Sequence, residues 1–133
     1  MRKINLKDVE IKDAQNRKIA ELVSAEVLNS EGVTCRIVEI NPINCTEPRN
    51  PHFHLDIEEA IFVLEGEGEV WYEGKVEKIY PNDLVLIPKQ EKHMVLNSTD
   101  KPLKIICFFP SNDMEATQIL CTNITYPNKE EEK

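Results

Sequence analysis

The stretch RNPHFHLDIEEAIFVLEGEGEV, residues 49–70, carries two of the chain's three histidines one residue apart, with two adjacent glutamates just beyond them. On a strand, residues two apart share a face and lie about 6.5–7 Å apart along it. His52 and His54 can therefore aim both imidazoles at one point. A divalent metal takes imidazole nitrogens at about 2.0–2.1 Å, and this pair can supply two of them. Neighbouring glutamates at the mouth of a strand point to opposite faces. Glu59 shares parity with Ile61 and Val63, and Glu58 with Ala60 and Phe62. An inward carboxylate is costly to bury without a partner, and a cation is such a partner. Periodicity leaves open which of the two turns in. The third histidine, His93, heads a further apolar run behind a proline-containing turn, in YPNDLVLIPKQEKHMVLN.

The elements that must position these residues read as strands. Apolar residues come in short runs rich in Val, Ile and aromatics, such as VTCRIVEI, AIFVL, EVWYEG, DLVLIP, HMVLN and LKIICFF, separated by turn material such as EGEG, YPND, PKQEK and NSTDKP. Many short strands at this spacing predict an all-β chain, a small antiparallel barrel or sandwich. KIAELVSAEVL fits a helical period about as well as a strand, and the surrounding strands favour strand. The 133 residues suffice for one core. The expected organisation is a loosely held or strand-exchanging arm over 1–18, a barrel over 19–126 and a solvated acidic tail over 127–133.

A charged fraction of 30% and a net charge of −8 supply no basic patch, so neither nucleic acid nor an anionic membrane is an expected partner. No apolar run approaches the roughly 18 residues of a membrane helix. With no apolar segment near the N-terminus, no signal peptide is read and the cytoplasm is the expected compartment. Cys35, Cys45, Cys107 and Cys121 form no CxxC and are expected as thiols.

In register, these residues resemble the two motifs of the cupins. The first reads G-x5-H-x-H-x(3,4)-E-x6-G, and here His52 and His54 are followed by Glu59 and then Gly66; that spacing selects Glu59 over Glu58. The second reads G-x5-P-x-G-x2-H-x3-N, matched by Pro88, His93 and Asn97. Thr46, Asn82 and Gln90 stand where the family has glycine. Asn tolerates the left-handed region in the turn Tyr80–Asp83, whereas Thr46 and Gln90 call for backbone open to any residue and hence local differences in those loops. The resemblance implies a jelly-roll barrel with His52, His54, Glu59 and His93 holding one cation. That donor set suits Fe, Mn, Ni, Zn, Co or Cu and is too nitrogen-rich for Ca or Mg.

The expected pocket is lined by Ile61 and Val63 on the ligand parity, by Val95 and Asn97, and by one face of the last long strand, either Ile105, Cys107 and Phe109 or Ile106 and Phe108. Arg36, the basic residue inside VTCRIVEI, can either hold a substrate carboxylate or form an ion pair at the rim. Trp71 and Tyr72 are expected to pack, and Cys107 to act as a small buried hydrophobe. Functionally, the resemblance implies a metal-dependent enzyme, an oxygenase or an isomerase/lyase acting on a small organic acid or carbonyl compound. The alternatives are a non-catalytic module binding a small ligand or metal, and a barrel that the metal merely staples. Beyond the ligands and Glu58, no acid–base residue is singled out in or beside the two motifs, which weakens the enzyme reading. Uncovered apolar positions such as Ala60, Phe62 and Leu64 lead us to expect a homodimer.

Overall fold

The computed structural model describes residues 1–42 and 48–126; Cys45, Thr46 and the expected acidic tail 127–133 lie outside the described residues. Eleven strands are formed among the described residues: β1 (Ile11–Ala14), β2 (Arg17–Val23), β3 (Thr34–Ile40), β4 (His52–His54), β5 (Glu59–Glu65), β6 (Gly68–Tyr72), β7 (Lys75–Ile79), β8 (Leu84–Ile87), β9 (His93–Leu96), β10 (Leu103–Phe109) and β11 (Gln118–Leu120). They make two antiparallel sheets. One has six strands in the order β1-β2-β3-β10-β5-β8, the other five in the order β11-β4-β9-β6-β7.

Side-chain alternation decides which face of each strand is buried. On β5, Glu59, Ile61 and Val63 are buried while Ala60 and Phe62 are partly exposed, so the open parity choice falls to the Glu59 set. Glu58 faces solvent. On β10, the inward set is Leu103, Ile105, Cys107 and Phe109. These residues pack with Val38, Ile40, Val70, Ile79 and Ile87 between the sheets. Trp71 packs, as expected, on the other side of the five-stranded sheet, with Met94 and Leu96 and beneath Ile124 and Tyr126.

KIAELVSAEVL is strand only as far as Val23. There the Ser24 hydroxyl accepts hydrogen bonds from the Glu26 and Val27 amides and turns the chain. Within the arm expected over 1–18, Ile11–Ala14 pair with Arg17–Ala20 of the same chain, so this part of it forms one edge of the six-stranded sheet. Leu6 shares an outer hollow with Ile11, Ala20 and Ile37. The loop containing Gln90 is corrected. Gln90 has φ +66°, the left-handed conformation a glycine would take without strain. Its amide donates to His54 O at 2.8 Å and its Nε2 to Leu55 O at 3.3 Å, which offsets that strain. Asn82, at φ +75°, adopts the left-handed turn expected of it.

Candidate metal centre

Three strands from two sheets build the site. His52 and His54 project from β4 and His93 from β9, where His52 and His93 are paired in register. Glu59 enters from β5 of the opposite sheet. One potential ligand atom from each of the four residues falls within a 4.8 Å cluster. His54, Glu59 and His93 are buried, and His52 partly so.

The hydrogen bonds fix how the imidazoles present their nitrogens. Thr117 donates its hydroxyl proton to Met114 O at 2.6 Å. Its oxygen can then only accept from His54 Nδ1, 3.1 Å away. His93 Nδ1 lies 2.8 Å from the Glu91 carbonyl, which again can only accept. Both rings therefore carry a proton on Nδ1 and present Nε2 inward. His54 Nε2 is buried and has no hydrogen-bond partner among the described residues. It stands 3.4 Å from Glu59 Oε1, and His93 Nε2 stands 3.0 Å from the same oxygen. Ligand atoms at about 2.1 Å from an ion are about 3.0 Å apart at right angles and about 3.4 Å apart at the tetrahedral angle. The residues fit a metal.

Electrostatics point the same way. Burial alone would raise the Glu59 carboxyl, but hydrogen bonding and charge from the histidines overcome it and hold it at about 2. Burial, with the neighbouring His93 charge, pushes His52 down to about 3 and keeps it neutral. For His93, burial acts downward, yet the hydrogen bond to Glu59 prevails and raises its pKa.

The cluster opens onto a cavity of about 420 Å³. Of the expected lining, Arg36, Ile61, Val95 and Cys107 are present, as are Ile105 and Phe109. Val63 and Asn97 are not, which corrects their assignment. Val63 is sealed in the core. Asn97 donates Nδ2 to Ile40 O and Lys101 O and accepts from the Thr99 amide, so it shapes the turn after β9. Arg36 takes the rim reading: it pairs with Glu21 at 2.8 Å and Glu115 at 3.1 Å. Burial, reinforced by Glu59, lifts the Cys107 thiol well above its usual range, so it is no nucleophile. Arg17, Arg49 and Gln118 also line the cavity and Thr117 orients His54, and none of the four stood out in the sequence. Arg17 was hidden inside the presumed arm, and nothing local distinguishes Thr117 from any strand threonine.

The family model for the cupin domain matches residues 36–109, more than half of the chain. The chain is a cupin. This cupin is 33% identical over 63 residues to an uncharacterized protein of Aquifex aeolicus, covering 47% of the chain and 52% of the relative. It is also 33% identical over 70 residues to one of Methanocaldococcus jannaschii, covering 52% and 56%. The cupin thus spans about half the length of the curated relatives it matches. Among solved structures it resembles the polyketide cyclase RemF of Streptomyces resistomycificus, with a TM-score of 0.71 at 20% identity over 83% of this chain and 79% of that one. Bacillus subtilis oxalate decarboxylase superposes with a TM-score of 0.74 at 16% identity, covering 90% of this chain and 32% of the decarboxylase. At such identities the likeness establishes the fold alone. Among the described residues no helix is long and apolar enough to cross a membrane.

Proposed function

We propose that this cupin holds one divalent transition metal through His52, His54, Glu59 and His93 and uses it on a small organic molecule bound in the adjoining cavity. The observation that carries this reading is the pair of imidazoles whose Nδ1 protons are engaged by Thr117 and Glu91, leaving two Nε2 atoms converging on Glu59. Fe, Mn, Ni, Zn, Co and Cu all suit such donors. A redox-active ion would activate oxygen or a bound carbonyl, and a redox-inert one would polarise a substrate oxygen. The enzyme reading is therefore an oxygenase or an isomerase/lyase acting on a small organic acid or carbonyl compound. The second reading, a non-catalytic binding module, is favoured by the cavity wall. Among the described residues, its ionisable side chains outside the cluster are three arginines, Glu115 and the inert Cys107, none placed as a proton shuttle.

Calorimetric titration with Ni(II) in buffers of different ionisation enthalpy tests the metal reading. We expect about one equivalent bound. His93 is the group from which the metal displaces a proton, because Glu59 raises its pKa. Affinity should rise with pH through that raised value, with His93 releasing its proton to the buffer as metal binds on the acid side. His52 and Glu59, at about 3 and 2, contribute no proton near neutrality. Absence of binding after reconstitution would overturn the proposal. Oxygen uptake by the Fe- or Mn-loaded protein with a panel of 2-oxo acids then separates enzyme from binding module.

The expected partner is a second copy of the chain. On the outer face of the six-stranded sheet, one register row runs Ile11, Ala20, Ile37, Ile106, Phe62, Leu84, apolar across all six strands. Beside it Phe108, Ala60 and Leu86 form a second apolar row. A neighbouring row, Asp13, Lys18, Glu39, Lys104, Glu65, alternates in charge and bounds the patch. Leu84 and Leu86 are 63% and 57% exposed, which a second subunit would correct. Light scattering at micromolar concentration should give a dimer for the wild type and a monomer for Phe62→Lys. A monomeric wild type would sink this reading.

A further inference from the structure

Among the described residues, three of the chain's four arginines and no lysine line the cavity beside the His/Glu cluster. Two of them are engaged within the protein. Arg36 is paired with Glu21 and Glu115, and Arg49 donates Nη1 to Val95 O at 3.0 Å. Arg17 differs. It opens β2, opposite Ile40 of β3, and its Nε is buried without a hydrogen-bond partner among the described residues. Arg17 stands on the same wall as His52, near enough that its charge helps keep that ring neutral. A guanidinium stays ionised in proteins, and a buried N–H of a cation left unmade is among the costlier defects a fold can carry. Nothing among the described residues compensates this one, so the compensation is best sought in a bound ligand.

We propose that Arg17 receives the carboxylate of a small organic acid whose body lies along the apolar wall formed by Ile19, Val38, Ile40, Ile105 and Met114. The guanidinium edge that carries Nε is a planar two-donor fork, and a carboxylate matches it bidentately. With the cluster loaded, the local charge is strongly positive: the metal and Arg17 face one buried carboxylate, Glu59, which the metal itself would engage. Within a chain of net charge −8, this is a local inversion that selects an anion. The proposal rests on the metal reading only for the second contact, in which a keto or hydroxyl oxygen of the same acid faces the cluster. The first contact, acid to Arg17, stands without it. Arg17 is thus the specificity-determining residue for acids over their neutral analogues, a role that Arg36 cannot fill while it remains paired.

The test is calorimetric titration of the full chain, metal-free and Ni(II)-loaded, with 4-methyl-2-oxopentanoate, its uncharged amide and inorganic phosphate, on wild type, Arg17→Met and Arg17→Lys. The acid should bind wild type and weaken at least about tenfold in Arg17→Met, with partial recovery in Arg17→Lys. The amide should bind more weakly than the acid to the wild type and equally to all three proteins, and phosphate should bind less well than the acid. Metal stoichiometry should not change in either variant. Because Arg17 Nε has no partner among the described residues, the melting temperature of Arg17→Met should equal or exceed that of the wild type. Acid affinity within twofold in Arg17→Met, equal binding of the amide or phosphate to wild type, or no acid binding in either metal state would overturn the assignment. So would a fall in melting temperature of about 5 °C or more, which would give Arg17 a structural role. Failure of Ni(II) to bind, with the Arg17 dependence intact in metal-free protein, would remove the metal reading and leave the acid site standing.

Discussion

Replacing His54 by alanine is expected to weaken divalent-metal binding more than about a hundredfold, and Thr117→Val about ten- to a hundredfold. The two substitutions separate a ligand from the residue that orients it. His54→Ala removes a buried nitrogen that has no other partner among the described residues. Thr117→Val keeps the shape beside His54 but removes the oxygen that accepts from Nδ1. Freed of that bond, the ring can carry its proton on either nitrogen, and half of the choice is wrong for a metal. Competition titrations against a chelator of known affinity read both effects, with circular dichroism of the metal-free proteins as the check on folding. Wild-type affinity in His54→Ala would take His54 out of the ligand set. Wild-type affinity in Thr117→Val would mean that the tautomer is fixed some other way.

Gly66→Ala should cost on the order of 3 kcal/mol of stability in the metal-free protein, whereas Gly74→Ala should cost about 1 kcal/mol. Both glycines have nearly the same backbone, at φ +83° and +85°. They differ in what a methyl group would meet. At Gly74 there is open space, so only the left-handed strain remains. At Gly66 the new carbon would press on the Pro102 carbonyl and on Leu103 Cα, main-chain atoms that cannot rotate away. Leu103 is fully buried at the start of β10, so relief there would displace the strand that forms one wall of the cavity. Denaturant unfolding of the two variants decides between steric and purely conformational cost. Equal losses would show that the approach of the two chains at Gly66 is loose enough to absorb a methyl group.

The four residues of the cluster could be read from the sequence because their spacing is imposed by strand geometry and by a family pattern that carries it. Parity alone left Glu58 and Glu59 undecided; the burial of Glu59 on β5 follows from which face of that strand meets the core. The cavity wall was less legible. Val63 shares the parity of Glu59, but that face runs past the end of the cavity into solid core. Asn97 follows the second motif in register, but its side chain is consumed by main-chain groups of its own turn and of β3. Arg17 was concealed by composition. Polar residues over 1–18 read as a loosely held or strand-exchanging arm, and the pairing of β1 with β2 uses main-chain hydrogen bonds that side-chain polarity does not report. Thr117 escaped, and the conformation of Gln90 was misjudged, for a related reason: their partners, His54 for Thr117 and His54 and Leu55 for Gln90, are remote in sequence.

Glu59 enters the cluster from one sheet and the three histidines from the other. The two sheets are thus the halves of a clamshell, and the ion would sit where a pin crosses the seam. Within the cluster, the two halves meet through the contacts between Glu59 and the rings of His54 and His93. A metal would replace those proton-dependent contacts with bonds to both sides at once. Breathing of the barrel would then become a property of the ion's exchange rate, so a slowly exchanging metal would keep the cavity's walls in register while a labile one would let them part.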